Sequence, residues 1–213
     1  LMKYSGEVEN AIKKQNDVKL NIWSYNPLEI THFKYGFLGI KPVFVNNKTY
    51  NSGISFQANY HYKRLKLMLE NFSYFNSSIF DTILGEYYRS IKKHNDYYHL
   101  FNYLKWNETN VDDTLNFYNW EKSPDTKSTW RIGDGAAPFY NYIYYVMTGF
   151  TEFDTFRSNQ VREGALSREE ALTLVVDENK PRYENIKWYL DTLDLNFSDV
   201  IKIVNNITKL YNH

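Results

Sequence analysis

The alternation of apolar and polar positions predicts a short helix and a strand at the start of the chain. Residues 5–15 have helical spacing with Ser5 as the N-cap, and residues 18–23 alternate as a half-buried strand does. Asn26-Pro27 then stops the strand. One helix, one strand and a turn make a single unit of an α/β sheet, which is too small to be a domain. We therefore expect that another chain completes the sheet, or that its earlier strands have been cut away.

After this unit the pattern predicts one long loop and then helices. Residues 33–53 contain three glycines and Pro42, which are typical of a loop. Apolar residues at helical spacing predict helices over residues 56–75, 78–93, 96–104, 111–118, 136–147, 153–162, 168–177, 181–193 and 199–211. The predicted fold is mainly α, a helical C-terminal region with a short remnant, helix plus strand, of an α/β sheet at the N-terminus.

Several of these helices carry start or stop signals. Ser167 and Glu170 have the spacing of a capping box. Pro181 suits a first helical turn, and Ser198 is the predicted cap of the last helix. Gly164 is a good residue to follow a helix that ends at residue 162.

Composition excludes several classes of function. Lys and Arg number 25, as do Asp and Glu, so the formal net charge is zero. That balance argues against a general nucleic-acid binder and against a polybasic membrane surface. The absence of cysteine excludes disulfides, thiolate catalysis and Cys-ligated metals, and the five histidines lack zinc-site spacing. No apolar run is long enough to span a bilayer and no signal peptide opens the chain, so we expect a cytoplasmic protein.

The strongest chemical signal lies in residues 127–135. Arg131 and Asp134 stand among glycines there, and Lys127 precedes Arg131 by four residues. Glycines let backbone N–H groups approach a ligand, and a guanidinium suits phosphate or carboxylate oxygens. Lys127, Arg131 and Asp134 are therefore the candidate catalytic residues. The alternative is that Arg131 and Asp134 pair to pin a turn while Lys127 lies exposed on the surface.

A second polar cluster follows about two dozen residues later. Arg157, Asn159, Gln160 and Arg162 lie on one predicted helix, and positions 159 and 162 share a face. A solvated helix face more often uses Lys and Glu. We predict that Arg157, Asn159 and Arg162 bind a substrate, with structural capping of neighbouring loops as the alternative.

Two stretches of this sequence resemble a known family. Residues 26–39 resemble the segment after a late strand in PP-loop ATP pyrophosphatases of the N-acetyl sugar amidotransferase type, which act in lipopolysaccharide and other surface-polysaccharide biosynthesis. Residues 162–172, REGALSREEAL, look like a helix start near the C-terminus of those proteins. The resemblance covers most of the chain as the C-terminal part of such a protein. That family binds ATP through a Ser-Gly-Gly-x-Asp-Ser loop, and this sequence contains no such loop.

The resemblance implies an ATP-dependent amidotransferase or ligase. Residues 1–53 would be the end of the nucleotide-binding PP-loop domain with a connecting loop, and residues 54–213 a helical domain. The implied reaction is adenylation of a substrate oxygen, release of pyrophosphate, and attack by ammonia from a glutaminase subunit. ATP and Mg²⁺ would be bound through the missing N-terminal region, so this chain alone is expected to bind no cofactor and to be inactive.

Residue type then suggests roles, which the motif match itself does not assign. Lys127 and Arg131 would face pyrophosphate or the acceptor sugar, while Arg157, Asn159 and Arg162 would build the acceptor pocket. The expected partners are a small-molecule sugar, the glutaminase and a possible second copy of the chain, with no nucleic acid and no membrane. No metal site is expected.

Two other classes of function stay open. The main rival is a non-catalytic helical binding module that completes a partner's site. A nucleic-acid-binding helical protein is the third possibility, and the neutral charge disfavours it.

Overall fold

The protein is mainly helical, with a small two-stranded parallel sheet. The computed structural model describes residues 2–24, 26–29, 33–41, 43–45, 48–50, 54–76, 79–80, 83–84, 97–126 and 135–210. The chain divides into two compact units, whose residues are 1–25 with 32–105 in the first, and 26–31 with 106–213 in the second. The first unit contains residues on both sides of position 53, and the predicted domain boundary at that position stays a prediction.

The first unit begins with a helix and a strand, as predicted. Helix α1 spans Met2–Gln15, so it starts three residues before the predicted cap, and strand β1 spans Asn21–Trp23. Strand β4, Tyr97–His99, pairs with β1 in parallel, with Ile22 opposite Tyr98. A parallel pair of this kind is the basic element of an α/β sheet.

The region predicted as a loop contains ordered elements, so that prediction was wrong in part. A short helix α2 spans Phe33–Gly36, and strands β2, Val43–Val45, and β3, Lys48–Tyr50, form an antiparallel hairpin. Helix α3, Ile54–Glu70, is close to the predicted helix over residues 56–75.

Aromatic packing explains why α2 forms where glycines predicted a loop. The ring of Tyr35 lies 5.1 Å from that of Phe56 and 5.5 Å from that of Tyr60, both edge to face. The Lys63 ammonium donates a 3.0 Å hydrogen bond to the carbonyl of Gly39. These contacts with α3 stabilise a segment whose own sequence has only a weak preference for helix.

The helix predicted over residues 96–104 is absent. Strand β4 and a 3₁₀ turn, Leu100–Asn102, occupy this stretch. Tyr97 and Tyr98 suit a pleated surface, and pairing with β1 outweighs the weak helical pattern. The helix predicted over residues 78–93 lies almost wholly outside the described residues.

The described part of the first unit buries little apolar surface. Ile40 is its one buried hydrophobic residue, with 5% exposure. In contrast, Leu20 is 51% exposed, Ile22 61% and Tyr98 47%. Tyr98 is opposite Ile22, so these two side chains lie on one face of the sheet, and Leu20 directly precedes β1.

Helices make up most of the described part of the second unit. A 3₁₀ turn, Pro27–Glu29, contributes to it from the earlier part of the chain. Its helices in chain order are α4, Glu108–Phe117; α5, Ala136–Thr148; α6, Glu152–Arg162; α7, Arg168–Glu178; α8, Tyr183–Thr192; and α9, Phe197–Asn205. The sequence predicted each of these helices to within a few residues at most ends. No helix of the described residues is long and apolar enough to cross a membrane.

Two apolar clusters form the core of this unit. The larger joins α5, α8 and α9, and its buried members are Tyr142, Ile186, Leu190 and Val204. The smaller has Phe153 and Phe156 of α6 at its centre, packed against Leu28 and Trp106. Trp106 meets Phe156 edge to face, with ring centroids 5.5 Å apart. Helices α5, α6 and α8 thus supply the scaffold for the polar residues described below.

The structure confirms two of the predicted helix-end signals. Ser167 and Glu170 form a capping box at the start of α7. Gly164 has φ +71°, and its N–H and that of Ala165 bond the last carbonyls of α6, so it ends that helix as predicted.

Two other signals were misplaced. The side chain of Asn196, not Ser198, caps α9 by accepting a 3.0 Å bond from the N–H of Asp199. Helix α8 begins at Tyr183, so Pro181 precedes its first turn. Asn accepts a backbone N–H at a helix start as well as Ser does, and only the backbone path decides between nearby candidates.

A glycine holds the start of α5 close to α8. Gly135 is buried and has φ +70°. A Cβ on Gly135 would lie 2.7 Å from Cβ of Tyr189, 3.1 Å from Cε3 of Trp188 and 3.2 Å from the carbonyl oxygen of Asn185. Only a residue without a side chain allows this approach.

We expect Gly135→Ala to lower the free energy of unfolding by about 2–4 kcal/mol, the sum of left-handed strain and a clash with α8. Gly164→Ala is a matched control, because Gly164 has nearly the same φ but open space around it. That control should cost only about 1–2 kcal/mol. Urea denaturation of both variants measures the difference. An equal loss of unfolding free energy in the two variants would show that close packing against α8 is not the reason for a glycine at position 135.

Candidate functional site

The polar cluster predicted on residues 157–162 forms a buried ion-pair network. Arg157 lies on α6 with its side chain 2% exposed. Its guanidinium meets Glu108 in the first turn of α4 and Glu178 at the end of α7. The three residues come from three different helices, so the network ties α4, α6 and α7 together.

Every N–H of the Arg157 guanidinium has an acceptor. Nε donates to Glu178 at 2.9 Å, and Nη1 donates to Gln160 at 2.8 Å as well as to Glu108. Nη2 donates to Glu108 at 3.0 Å and to Glu178. Gln160 also donates to Glu108 at 2.9 Å, which closes the network. A guanidinium has five donors, so none is left for a substrate.

The charges around Arg157 keep it ionised. Burial alone would lower the pKa of the guanidinium, but hydrogen bonds and charges from Glu178 and Glu108 raise its pKa above the ordinary value. Removing either of its partly buried carboxylate partners would leave a buried charge without full compensation, so Arg157 is a structural centre of the unit.

The other two residues predicted to bind a substrate, Asn159 and Arg162, also form hydrogen bonds within the second unit. Asn159 is buried, and its side-chain N–H donates a 2.7 Å bond to the carbonyl of Leu28. Arg162 is exposed and donates to the side-chain oxygens of Asn159 and Ser158. These contacts favour the structural alternative for the cluster, in which it secures the 3₁₀ turn at Leu28. The substrate-binding role of Arg157, Asn159 and Arg162 stays a prediction.

A second network joins the ends of α6 and α7. Thr151 caps α6, and its N–H donates a 2.7 Å bond to Asp154 in a capping box. Asn179, just past α7, donates to Asp154 at 2.9 Å and accepts from the Thr151 hydroxyl. Asn141 of α5 accepts a 3.0 Å bond from the N–H of Glu152. Helices α5, α6 and α7 are therefore held by polar contacts as well as apolar ones.

A small cavity lies beside this second network. It has a volume of about 20 Å³, and its walls include Asn141, Thr151, Asn179 and Arg182. A space of this size holds about one water molecule. It is too small for a sugar or a nucleotide.

A third network fixes the chain just before the predicted catalytic segment. Arg182 donates to Asp125 at 2.6 Å, and Asn185 of α8 donates to the same carboxylate at 2.9 Å. The Ser123 hydroxyl donates to Asp125 at 2.7 Å and accepts from both Arg182 and Asn185. The Arg182 side chain is 7% exposed and that of Asp125 is 16% exposed.

The environment of Asp125 favours its ionised form. Burial would raise the pKa of this carboxyl, but hydrogen bonds from Arg182, Ser123 and Asn185 and the charge of Arg182 lower its pKa to about 2. The carboxylate is therefore charged throughout the physiological range and anchors its segment continuously.

Lys127, Arg131 and Asp134 lie outside the described residues, so their catalytic role stays a prediction. Their chain neighbours Thr126 and Gly135 are described. His32, which falls within residues 26–39, also lies outside the described residues.

The sequence missed the partners that define these networks. Glu108 and Glu178 are 49 and 21 residues from Arg157, and no periodic pattern links positions so far apart. The contact between Arg157 and Gln160 could have been predicted from the sequence, because residues three apart on a helix share a face. Apart from their opposite charges, nothing in the sequence indicated that Arg182 and Asp125 form an ion pair.

Within the described residues, no group of three or more His, Cys, Asp and Glu side chains could hold a metal ion. Comparisons with protein-family models, with curated proteins and with solved structures found no match for this chain.

We expect Arg157→Met to destabilise the second unit by about 3–5 kcal/mol, because two carboxylates would be left facing each other without a cation. Arg162→Met, on the same helix but exposed, should cost less than about 1 kcal/mol. Thermal and urea denaturation of the two variants provides the comparison. A small loss for Arg157→Met would contradict the structural role of this network and favour a side chain reserved for a ligand.

Proposed function

We propose that this chain is the C-terminal region of an ATP-dependent amidotransferase-like enzyme that acts on a sugar in surface-polysaccharide biosynthesis. Residues 26–39 and 162–172, which resemble PP-loop ATP pyrophosphatases of the N-acetyl sugar amidotransferase type, support the proposal. The nucleotide-binding loop would come from a sheet that further strands complete.

The observation that carries this proposal is the exposed parallel strand pair of the first unit. Parallel sheets occur almost only with both faces covered, and two strands alone are marginally stable in water. Yet Ile22 and Tyr98, on one face of β1 and β4, and Leu20, just before β1, are each about half exposed or more. An apolar face of this kind fits the end of a larger α/β sheet. Residues 1–53 would then be the last part of the nucleotide-binding domain, and β4 from the later region would add a strand to its sheet.

Helix α1 supports the same interpretation. Val8 and Ile12 are four residues apart, so they share a face of the helix, and they are 57% and 51% exposed. A helix that precedes a parallel strand packs on the sheet in α/β domains, and its apolar face needs such a surface. Additional strands beside β1 would provide it.

In the proposed reaction an acceptor oxygen attacks the α-phosphorus of ATP and pyrophosphate leaves. Ammonia then attacks the carbon that carries the adenylated oxygen, and AMP leaves with that oxygen. The sequence has no Ser-Gly-Gly-x-Asp-Ser loop of the kind through which that family binds ATP. We therefore assign nucleotide and Mg²⁺ binding to the completing part of the sheet, with ammonia supplied by a glutaminase subunit.

The share of this chain in catalysis would be positioning and charge neutralisation. Lys127 and Arg131 would face pyrophosphate or the acceptor, and Asp134 would orient a reacting group. Positioned charges of this kind supply much of the rate enhancement where phosphate groups are displaced. The saturated donors of Arg157 leave the segment around Arg131 as the better candidate for the anion contact.

The test uses the protein purified from its native source with its associated polypeptides. It is supplied with ATP, ammonium and N-acetylated sugar acceptors, and AMP, pyrophosphate and aminated sugar are measured. We expect equimolar AMP and pyrophosphate, and a loss of turnover of about 100-fold or more for Arg131→Ala. Lys187→Ala is the control, because Lys187 forms an exposed pair with Asp191 on α8. Unchanged turnover in Arg131→Ala would remove that residue from the site.

The second candidate is a non-catalytic helical module that completes a partner's site. It is favoured by the hydrogen bonds of Arg157 and Asn159, whose side-chain donors bind acceptors inside the second unit. A purified native complex that releases neither AMP nor pyrophosphate with any acceptor would make this the leading function.

A further inference from the structure

One buried nitrogen of the second unit has no hydrogen-bond acceptor among the described residues. The Arg182 side chain is 7% exposed, and its Nη2 donates to Asp125 at 2.6 Å and to Ser123 at 2.9 Å. Its Nε is buried as well, but no acceptor in the described part of the chain lies within hydrogen-bonding distance. A buried N–H without an acceptor is costly, so folded proteins supply a partner to almost every such group, often an ordered water molecule.

The small cavity beside the second network lies at the same side chain. Arg182 is part of its wall, together with Thr151 and Asn179. Its volume of about 20 Å³ is enough for one water molecule. Cavities that stay dry are lined by apolar side chains, whereas this wall contains several polar ones, so its chemistry favours hydration.

The wall also offers acceptors for the hydrogens of a bound water. The side-chain oxygen of Asn141 accepts a 3.0 Å bond from the N–H of Glu152. The side-chain oxygen of Asn179 accepts a bond from the Thr151 hydroxyl. An amide oxygen has two lone pairs, so each of these oxygens can accept a second bond. A water that accepts from one donor and donates to two such oxygens makes about three hydrogen bonds, the usual number for a buried water.

The charges around the cavity argue against an anion as its occupant. Arg182 and Lys180 are cationic residues of the wall, and each already has a carboxylate partner, Asp125 and Asp177 respectively. Glu178 belongs to the wall too, and its negative charge would repel an anion. Burying a charge without a free partner costs more than burying a neutral molecule that forms hydrogen bonds. A single neutral water therefore fits both the volume and the charge.

We propose that this cavity binds one ordered water molecule, which accepts a hydrogen bond from Nε of Arg182 and donates to side-chain oxygens of the wall such as those of Asn141 and Asn179. The water would join two hydrogen-bond networks, because Arg182 binds Asp125 and Asn179 binds Asp154. The start of α8 would thereby be connected to the facing ends of α6 and α7. This inference is independent of the proposed function.

NMR spectroscopy of the full chain with ¹⁵N-labelled arginine tests the proposal in solution. The Nε–H signal of Arg182 is assigned by its loss in Arg182→Lys, which keeps a positive charge beside Asp125. We expect a nuclear Overhauser cross-peak between this N–H and a long-lived water. The matched control is Arg157 in the same spectrum, because its buried Nε–H donates to Glu178 at 2.9 Å and should show no such cross-peak. Equal contact of the two N–H groups with water would overturn the proposal.

A crystal structure of the wild type grown in sodium bromide identifies the occupant. We expect density for one oxygen atom about 2.7–3.2 Å from Nε of Arg182, with no anomalous bromide signal in the cavity. An anomalous peak there would show an anion site and overturn the proposal. An empty cavity, or a protein group that accepts from Nε, would overturn it as well. The proposal requires both the NMR and the crystallographic result.

Discussion

The second unit depends on one buried guanidinium. Arg157 is almost fully enclosed, and each of its donors meets Glu108, Glu178 or Gln160. Removing these charges from water costs several kcal/mol for each ion, and good geometry only roughly offsets that cost. The network therefore contributes less to net stability than to selecting one arrangement, because any packing that separates α4, α6 and α7 leaves a buried charge without its partner.

This constraint assigns different tasks to the two polar clusters of the sequence. The cluster around Arg157 is consumed by internal contacts, which hold α6 against its neighbours. The segment around Arg131, with its cationic and glycine residues, is the stretch proposed to meet an anion. Helix α8 relates the two, since its core residues pack on α5 while its first turns bind Asp125 and Gly135. The chain thus separates residues that build the scaffold from residues proposed to act on a ligand.

The sequence predicted structure well where local signals are strong. The capping box at Ser167, the glycine stop at Gly164 and the aromatic helix α5 all form as the pattern indicated. The predictions failed where contacts between residues far apart in sequence determine the local structure. Residues 97–99 form a strand because β1 pairs with them, and α2 forms because Tyr35 packs on α3.

The same limit applies to the site. Residue types marked Arg157 and Asn159 as unusual for a helix surface, and both proved to be buried. Their partners could not be read from spacing, because Glu108, Glu178 and Leu28 are brought together only by folding. Charge and burial are local signals, but the choice between a ligand and an internal partner belongs to the tertiary structure.

A double-mutant cycle between Arg157 and Glu178 tests the central claim most directly. The unfolding free energies of the wild type, Arg157→Met, Glu178→Gln and the double variant give the coupling energy of the pair. A pair that fixes α6 to α7 should couple by about 2 kcal/mol or more, with the double variant less destabilised than the two single losses predict. A coupling below about 0.5 kcal/mol would mean that the two side chains act independently, and the buried guanidinium would not be what holds these helices together.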